Sequence, residues 1–95
     1  MNPVRVLKVM YYTYILKSKK SGRFYTGSTN DLQKRLKLHN DGKSNFTKKD
    51  KPYELIYYEA CKEREDAFAR EIYLKSGYGK RFIKNRLRRF LTLTG

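Results

Sequence analysis

Residues 11–40 read YYTYILKSKKSGRFYTGSTNDLQKRLKLHN and place two short aromatic segments, a polar turn and an amphipathic segment in immediate succession. Residues 11–17 are rich in aromatic and β-branched side chains, which favour strands. Residues 19–22 have the composition of a tight turn, and residues 23–27 are predicted to return as the second strand of a hairpin. Pairing of these strands brings their tyrosines close together.

A helical pattern follows the hairpin directly. Asp31 is the last in a run of residues with N-cap character, and Gly42 is a natural stop. We expect Asp31 to cap the helix rather than to take part in chemistry, because a carboxylate there meets unpaired backbone amides. Arg35 and His39 are four residues apart and therefore lie on the same face of this helix.

The rest of the chain consists of a loop, a strand and further helices. Residues 43–52 are polar, basic and without periodicity, which indicates a surface loop beside the site. Residues 53–60 have the composition of a third strand. Residues 64–76 predict a helix that ends at a break over residues 77–79, and residues 80–91 predict a last helix.

The predicted order is therefore strand, strand, helix, strand, helix, helix, an α/β chain of the α+β type. Because residues 11–17 are apolar on both faces, this strand is predicted to lie in the middle of a three-stranded antiparallel sheet with the order 2-1-3. The helix between the second and third strands then makes a right-handed crossover. A length of 95 residues favours one domain, with its core at about residues 10–91 and with residues 1–9 as a lead-in or an extra edge strand.

The residue inventory excludes several kinds of site. Cys61 is the only cysteine, so neither an intrachain disulfide nor a thiolate zinc cluster is expected. The single histidine, His39, likewise excludes a His-rich metal centre. No stretch has the features of a signal peptide or the length of a membrane span, so we expect a cytoplasmic protein, and a monomer.

Charge is the most informative bulk property. Lysine and arginine total 23 against 9 acidic residues, which gives a formal net charge of +14. A surplus that large on a small domain attracts polyanions, most commonly nucleic acid; a ribosome-associated module or a binder of anionic membranes has similar charge. We expect nucleic acid, DNA before RNA, to contact these basic residues: Lys34, Lys37, Lys48, Lys49, Lys80, Arg81 and Lys84.

The hairpin and the helix after it resemble the signature of the GIY-YIG endonuclease family, in particular its small stand-alone bacterial members. The resemblance extends over about residues 11–87 and falls on these positions: Tyr12-Thr13-Tyr14, Tyr25-Thr26-Gly27, Asn30-Asp31-Leu32, Arg35 and His39-Asn40. The chain departs from the family triplets at Tyr12 and Thr13, which stand where Gly and Ile are usual, and at Thr26, which replaces Ile.

The resemblance implies a metal-dependent endonuclease that hydrolyses DNA phosphodiester bonds, in repair or recombination. Glu71 would anchor one Mg²⁺ or Mn²⁺ through its carboxylate. Arg35 would hold the non-bridging phosphate oxygens with its planar fork. Either Tyr14 or Tyr25 would act as general base on the attacking water. His39 would orient a tyrosine or the water, or transfer a proton itself.

The same residues have other interpretations. Asn85 matches, by position only, an Asn that the family places near the end of the module, and is an additional candidate. Taken alone, the tyrosines are ordinary strand aromatics, Glu71 is a helix charge paired with Lys75, and His39 is a cation at a helix C-terminus. Gly27 is expected to serve backbone geometry and close approach of the substrate. The alternative functions are a nucleic-acid-binding module that retains the fold without turnover, and an RNA-associated accessory protein.

Overall fold

The computed structural model describes residues 10–45 and 47–94, and its sheet is built from three strands. β1 (Tyr11–Ser18) lies in the centre, with β2 (Phe24–Thr29) on one side and β3 (Tyr53–Cys61) on the other. β1 pairs with both neighbours in antiparallel orientation. The predicted strand order 2-1-3 is confirmed, whereas the lead-in or edge strand predicted for residues 1–9 lies outside the described residues.

The described part of the chain also forms helices, in the predicted order: α1 (Leu32–Asn40), α2 (Arg64–Lys75), α3 (Gly77–Arg86) and α4 (Arg88–Thr94). The helix boundaries differ from the prediction at two places. The chain turns at Ser76, whose hydroxyl accepts the backbone N–H of Gly79 at 3.2 Å, so residues 77–79 form the first turn of α3. Leu87 leaves the helical conformation, with φ −110° and ψ 25°, and divides the predicted last helix in two. Within the described ranges, no helix combines the length and apolar character that crossing a lipid bilayer requires.

The side chains of β1 alternate between two apolar layers, as in any strand covered on both faces. Tyr14 and Leu16 pack in the layer shared with α1, whereas Ile15 packs against Leu74 of α2 and Ile83 of α3. All five are buried. A polar atom on either face of β1 therefore needs a partner within the protein.

Both ends of α1 are held as the sequence predicts. The carboxylate of Asp31 accepts the backbone N–H of Lys34 at 3.1 Å and caps the N-terminus. At the other end Gly42 has a φ of 74°, and its N–H bonds to the carbonyl of His39 at 3.1 Å. The cap at Gly42 fixes the last turn of α1, which carries His39.

The segment between α1 and β3, predicted as a surface loop, is partly buried. Thr47 has only 1% of its surface exposed, and Ser18 Oγ donates to the backbone carbonyl of Asp50. Asn40 exchanges two hydrogen bonds with the backbone of Tyr53, at 3.1 and 2.6 Å. The segment is therefore anchored to the sheet on both sides of Thr47.

Candidate active site

The hydroxyl of Tyr14 lies between two polar side chains of α1. Arg35 Nε donates to Tyr14 Oη at 3.4 Å, and His39 Nε2 lies 3.1 Å from the same oxygen. The ring of Tyr25 completes the group, with its centroid 6.3 Å from that of Tyr14 and 4.8 Å from that of His39. The structure thus brings together the candidate residues of the hairpin and of the first helix.

Tyr14 reaches this position by passing over Gly27, its partner on β2. A Cβ atom at residue 27 would lie 2.5 Å from Tyr14 Oη and 2.7 Å from Tyr14 Cζ. Gly27 is expected from the sequence to serve backbone geometry and close approach of the substrate. Its φ is not positive, since the positive φ angles among the described glycines belong to Gly22 and Gly42, so its backbone conformation does not require glycine. Glycine is required because the Tyr14 ring occupies the space that a side chain would fill.

His39 is fully buried, with 0% of its surface exposed. Its Nδ1 lies 2.7 Å from Thr47 Oγ1, so both ring nitrogens have hydrogen-bond partners. Burial lowers the pKa of His39 below its usual 6.5, and the charge of Arg35 lowers it further. The ring is therefore neutral at neutral pH, which contradicts its interpretation as a cation at the C-terminus of a helix.

The pKa values of Tyr14 and Arg35 define the charges of this pair. Burial raises the pKa of Tyr14, and the hydrogen bond from Arg35 opposes this effect without cancelling it. The same hydrogen bond raises the pKa of Arg35. At neutral pH Tyr14 is an uncharged hydroxyl and Arg35 is a cation. A tyrosine that acts as a general base needs a lowered pKa. Arg35 lowers the pKa of Tyr14, but burial raises it by more.

Glu71 reaches the β2 edge of the sheet from α2. Ser28 of β2 donates its hydroxyl to Glu71 Oε1 at 2.7 Å, and Lys75 Nζ lies 2.8 Å from Oε2. The Glu71 carboxylate lies near enough to Tyr14 to contribute to the raised pKa of that tyrosine. The i,i+4 pair considered from the sequence is therefore present, and Ser28 also ties the same carboxylate to β2, one residue after Gly27.

The surroundings of Glu71 limit what kind of metal site is possible. Within residues 10–45 and 47–94, no group of three or more His, Cys, Asp or Glu side chains is arranged to hold a metal ion. Mg²⁺ does not need such a group beside a phosphate, because it keeps several waters and binds through one or two carboxylates and substrate oxygens. A carboxylate has about four lone-pair sites. Glu71 therefore fits a hydrated Mg²⁺ or Mn²⁺, with Lys75 as the competing cation.

Asn85, the additional candidate, belongs to α3. It is exposed in the last turn of α3 and lines a shallow depression that also includes Arg88 and Phe90. In the described part of the chain, no hydrogen bond connects its side chain to Tyr14 or Glu71. Its assignment stays a prediction from position in the sequence.

The basic residues predicted to contact nucleic acid are on the surface. All seven are exposed: Lys34, Lys37, Lys48, Lys49, Lys80, Arg81 and Lys84. Lys75, Lys80 and Lys84 line a groove of about 530 Å³ whose wall includes the rings of Phe24 and Tyr25. This groove joins positive charge and apolar surface beside one of the two candidate tyrosines.

Two residues of the site were not found from the sequence. Thr47 lies in a polar, non-periodic stretch, where nothing distinguishes it as a partner of His39. Ser28 stands in the run of N-cap residue types before α1, yet its hydroxyl binds Glu71, which lies 43 residues further along the chain. Both contacts arise from packing between segments, so no local pattern could have revealed them.

Comparison with known proteins finds one family and several relatives. The profile of the GIY-YIG catalytic domain matches residues 10–88. The chain is 43% identical over 67 residues to the UPF0213 protein CPE1444 of Clostridium perfringens, covering 70% of this chain and 71% of that protein. It is 42% identical over 66 residues to the UPF0213 protein YazA of Bacillus subtilis, covering 68% and 66%. The solution NMR structure of the UPF0213 protein BH0048 from Bacillus halodurans is 30% identical, with a TM-score of 0.45, covering 90% of this chain and 86% of that chain.

Proposed function

We propose that this chain, which belongs to the GIY-YIG nuclease family, is an endonuclease that uses Mg²⁺ or Mn²⁺ to hydrolyse phosphodiester bonds in DNA. The observation that carries the proposal is the convergence of four side chains from the hairpin and α1. Ser28, which follows Gly27 on β2, holds the carboxylate of Glu71 from α2. Phosphodiester hydrolysis requires a nucleophilic water, neutralisation of charge at phosphorus and help for the leaving oxygen. Side chains of these types can meet all three requirements.

The proposed roles of Arg35 and Glu71 follow from their surroundings. The guanidinium of Arg35 has five N–H groups, so its bond to Tyr14 leaves others to bind the non-bridging phosphate oxygens. Glu71 would hold the divalent ion, which when bound supplies Lewis acidity and stabilises the leaving oxygen. A strongly basic surface, with a net charge of +14, would attract the nucleic acid to this edge.

The proton of the attacking water would pass to one of the two tyrosines. For Tyr14 the onward route would run through His39, whose Nε2 lies 3.1 Å from Oη: as Oη takes the proton of the water, its own proton would pass to Nε2 of the neutral imidazole, which would become an imidazolium. Tyr25 is more exposed than Tyr14 and is the alternative acceptor. Cleavage by Tyr14→Phe and Tyr25→Phe variants distinguishes the two, because only the base should reduce kcat without a matching change in KM.

Cleavage of plasmid and branched DNA is the direct test of the proposed activity. The purified protein should nick these substrates with Mg²⁺ or Mn²⁺, and EDTA should stop the reaction. Arg35→Ala and Glu71→Gln should each lower kcat by about 10²-fold or more, the usual cost of losing one charge-stabilising group. Glu65→Gln is the matched control, since it removes the same charge from the exposed first turn of α2. Full activity of Glu71→Gln would refute the metal assignment.

A nucleic-acid-binding module without turnover is the second candidate. The ion pair between Glu71 and Lys75 favours it, because Lys75 already neutralises the carboxylate that would hold the metal. Binding that weakens steeply with salt, together with no cleavage of DNA or RNA with either metal, would support this module and contradict the endonuclease. If the protein binds RNA in preference to DNA in a competition assay, RNA rather than DNA is its partner.

A further inference from the structure

We propose that the groove bounded by β2, α2 and α3 is a nucleotide-binding site: a base of the bound strand packs against the ring of Phe24, and phosphates contact Lys80 and Lys84. This inference deepens the proposed function, and it rests on that function for the position of the nucleotide beside the cleaved bond. The recognition of a base in the groove is tested separately from cleavage.

Alternate side chains of β2 lead from the groove to Glu71. Ser28 faces α2, because its hydroxyl binds the Glu71 carboxylate at 2.7 Å. Since side chains at every second position of a strand share one face, Thr26 and Phe24 face the same helix layer. With about 3.3 Å between successive residues, Phe24 lies about 13 Å along β2 from Ser28. Neighbouring nucleotides of one strand are therefore able to contact both the groove and the Glu71 carboxylate.

The groove presents apolar surface to solvent. Ile15, Leu74 and Ile83, which pack together in the layer of α2 and α3, line it from below. Phe24 adds a ring with 44% of its surface exposed. The groove volume of about 530 Å³ lies within the range of small-molecule sites, ~300–1,000 Å³. Every base has a π face, so an exposed aromatic side chain can stack on it whatever the nucleotide sequence.

Thr26 supplies a polar group within this apolar surface. It stands where the family triplet usually has isoleucine, and its side chain is partly buried. In the part of the chain that the structure describes, its hydroxyl forms no hydrogen bond with another residue. A hydroxyl can donate and accept, so it can bond to the edge of any base. An aromatic ring and an available hydroxyl suit a nucleobase, which has an apolar face and a polar edge.

Lysines line the groove where phosphates would lie. Lys80 and Lys84 are one turn apart on α3, and both are exposed. Lys75 lines the end next to Glu71, since its Nζ lies 2.8 Å from Glu71 Oε2. The charge of the groove therefore complements a phosphate backbone that runs from the Glu71 carboxylate past α3. Because neighbours cover a base inside a duplex, the nucleotide enters the groove unpaired, as at a branch point or in a single strand.

Two oligomers of equal length separate base contacts from phosphate contacts: a labelled oligothymidine and a labelled oligomer of abasic deoxyribose phosphates. Fluorescence anisotropy in EDTA measures both affinities without cleavage. We expect the wild-type protein to bind the oligothymidine more tightly by about fivefold or more, the lower range for a base stacked on an aromatic side chain. Equal affinities would overturn the proposal, because they would show that phosphates alone are bound.

Substitution of Phe24 locates the bound base. Phe24→Leu keeps an apolar residue but removes the aromatic face, so it should abolish most of the preference for oligothymidine and leave the affinity for the abasic oligomer unchanged. Phe68→Leu is the matched control, since Phe68 is an exposed phenylalanine of α2 outside the groove. A wild-type preference in Phe24→Leu, or an equal loss in both variants, would contradict the site.

Thr26 and the lysines test the rest of the site. Thr26→Val should weaken binding of oligothymidine but not of the abasic oligomer, whereas Thr26→Ser, which keeps the hydroxyl, should retain the wild-type affinities. Replacing Lys80 and Lys84 by glutamine together should weaken binding of both oligomers alike, because lysines contact phosphates. If Phe24→Leu does not fold, a Thr26→Val protein with the full wild-type preference would refute the proposal by itself.

Cleavage of branched DNA connects the groove to the proposed activity. Phe24→Leu should raise KM about fivefold or more with little change in kcat, because the lost contact is made before the chemical step as well as during it. A wild-type protein that prefers oligothymidine but never cleaves would refute the proposed endonuclease and leave the nucleotide site intact. A protein that cleaves DNA yet binds both oligomers equally would refute the nucleotide site and leave the endonuclease intact.

Discussion

Tyr14 is held so closely over Gly27 that the site depends on the absence of a side chain there. The ring is buried, and its hydroxyl is bonded to Arg35 and His39, so it cannot move aside without breaking hydrogen bonds. A methyl group at residue 27 would have to displace the ring or separate β1 from β2. Either change would disturb the position of the Tyr14 hydroxyl.

Gly27→Ala is therefore expected to lower the free energy of unfolding by about 1–3 kcal/mol, the usual cost of an extra carbon in a packed core. Urea unfolding measures the effect. Gly77→Ala is the matched control, because nothing lies within 4 Å of a Cβ at that position and alanine favours helices more than glycine. Equal stability of Gly27→Ala and the wild-type protein would show that Tyr14 is not confined by this contact.

The burial of His39 makes the stability of the fold depend on pH. Because its pKa is lowered in the folded state, the unfolded chain binds the proton more readily. The stability that neutral His39 provides is fully present above the unfolded-state pKa of about 6.5 and is lost as the pH falls through the lower folded-state pKa.

We expect the free energy of unfolding of the wild-type protein to fall between about pH 7 and pH 5, and His39→Gln to flatten the curve over this range. Denaturant unfolding at a series of pH values measures both curves. Since the chain contains a single histidine, the difference between them isolates this residue. Parallel curves would contradict a buried, neutral His39.

α2 carries Glu71 and Lys75 one turn apart, and their ion pair affects how strongly the carboxylate can bind a divalent ion. Lys75 is the more exposed partner, with 55% of its side chain accessible against 15% for Glu71. The lysine can therefore move into solvent when a divalent ion binds, at the small cost of an exposed ion pair, about 0.3–0.5 kcal/mol.

Lys75→Gln is expected to raise the affinity for Mn²⁺ about fivefold or more. A unit charge about 4 Å away contributes about 1 kcal/mol even at the dielectric constant of water. Electron paramagnetic resonance of unbound Mn²⁺ measures the change without DNA. Lys37→Gln is the control, since Lys37 of α1 forms another i,i+4 ion pair, with Asp41 just after the helix. Unchanged affinity in Lys75→Gln would argue against Glu71 as the ligand.

The helices differ in how far the sequence predicts them. α1 is predicted with both of its caps, because Asp31 and Gly42 act within a few residues of the helix ends. The start of α3 is not predicted, because residues 77–79 contain two glycines and such a segment is typical of a break between helices. Gly79 is buried where α3 approaches the backbone of Tyr73 and Leu74, so tertiary packing overrides its poor helix propensity.

The molecule as a whole carries a net charge of +14, and its distribution bears on how nucleic acid would bind. Lys80 and Lys84 line the groove beside Tyr25, so a strand that crosses the candidate site would meet them. Phosphate contacts of this kind release counterions and make binding depend on salt.

Replacing Lys80 and Lys84 by glutamine together should reduce the slope of log Kobs against log salt concentration by about 2 for duplex DNA, or about 0.9 for each lost phosphate contact. Fluorescence anisotropy in EDTA measures this without cleavage. The control replaces Arg88 and Arg89 by glutamine together. This removes the same amount of charge from exposed positions of α4 that lie outside the groove. Equal slopes for the two double variants would indicate diffuse binding rather than use of the groove.

The sequence by itself determined the hairpin and the caps of α1, because these depend on residues close together in the chain. It also predicted the central place of β1, from a strand that is apolar on both faces, and the family, from the order of motifs along the chain. The sequence also named the four side chains of the hairpin and α1 that the fold brings together. Only the tertiary structure decided that Thr47 contacts His39 and that Ser28 and Lys75 both bind the carboxylate of Glu71. It also decided that burial changes the pKa of Tyr14 more than Arg35 does. The reason is physical: hydrogen-bond partners and desolvation are set by segments that meet only when the chain folds.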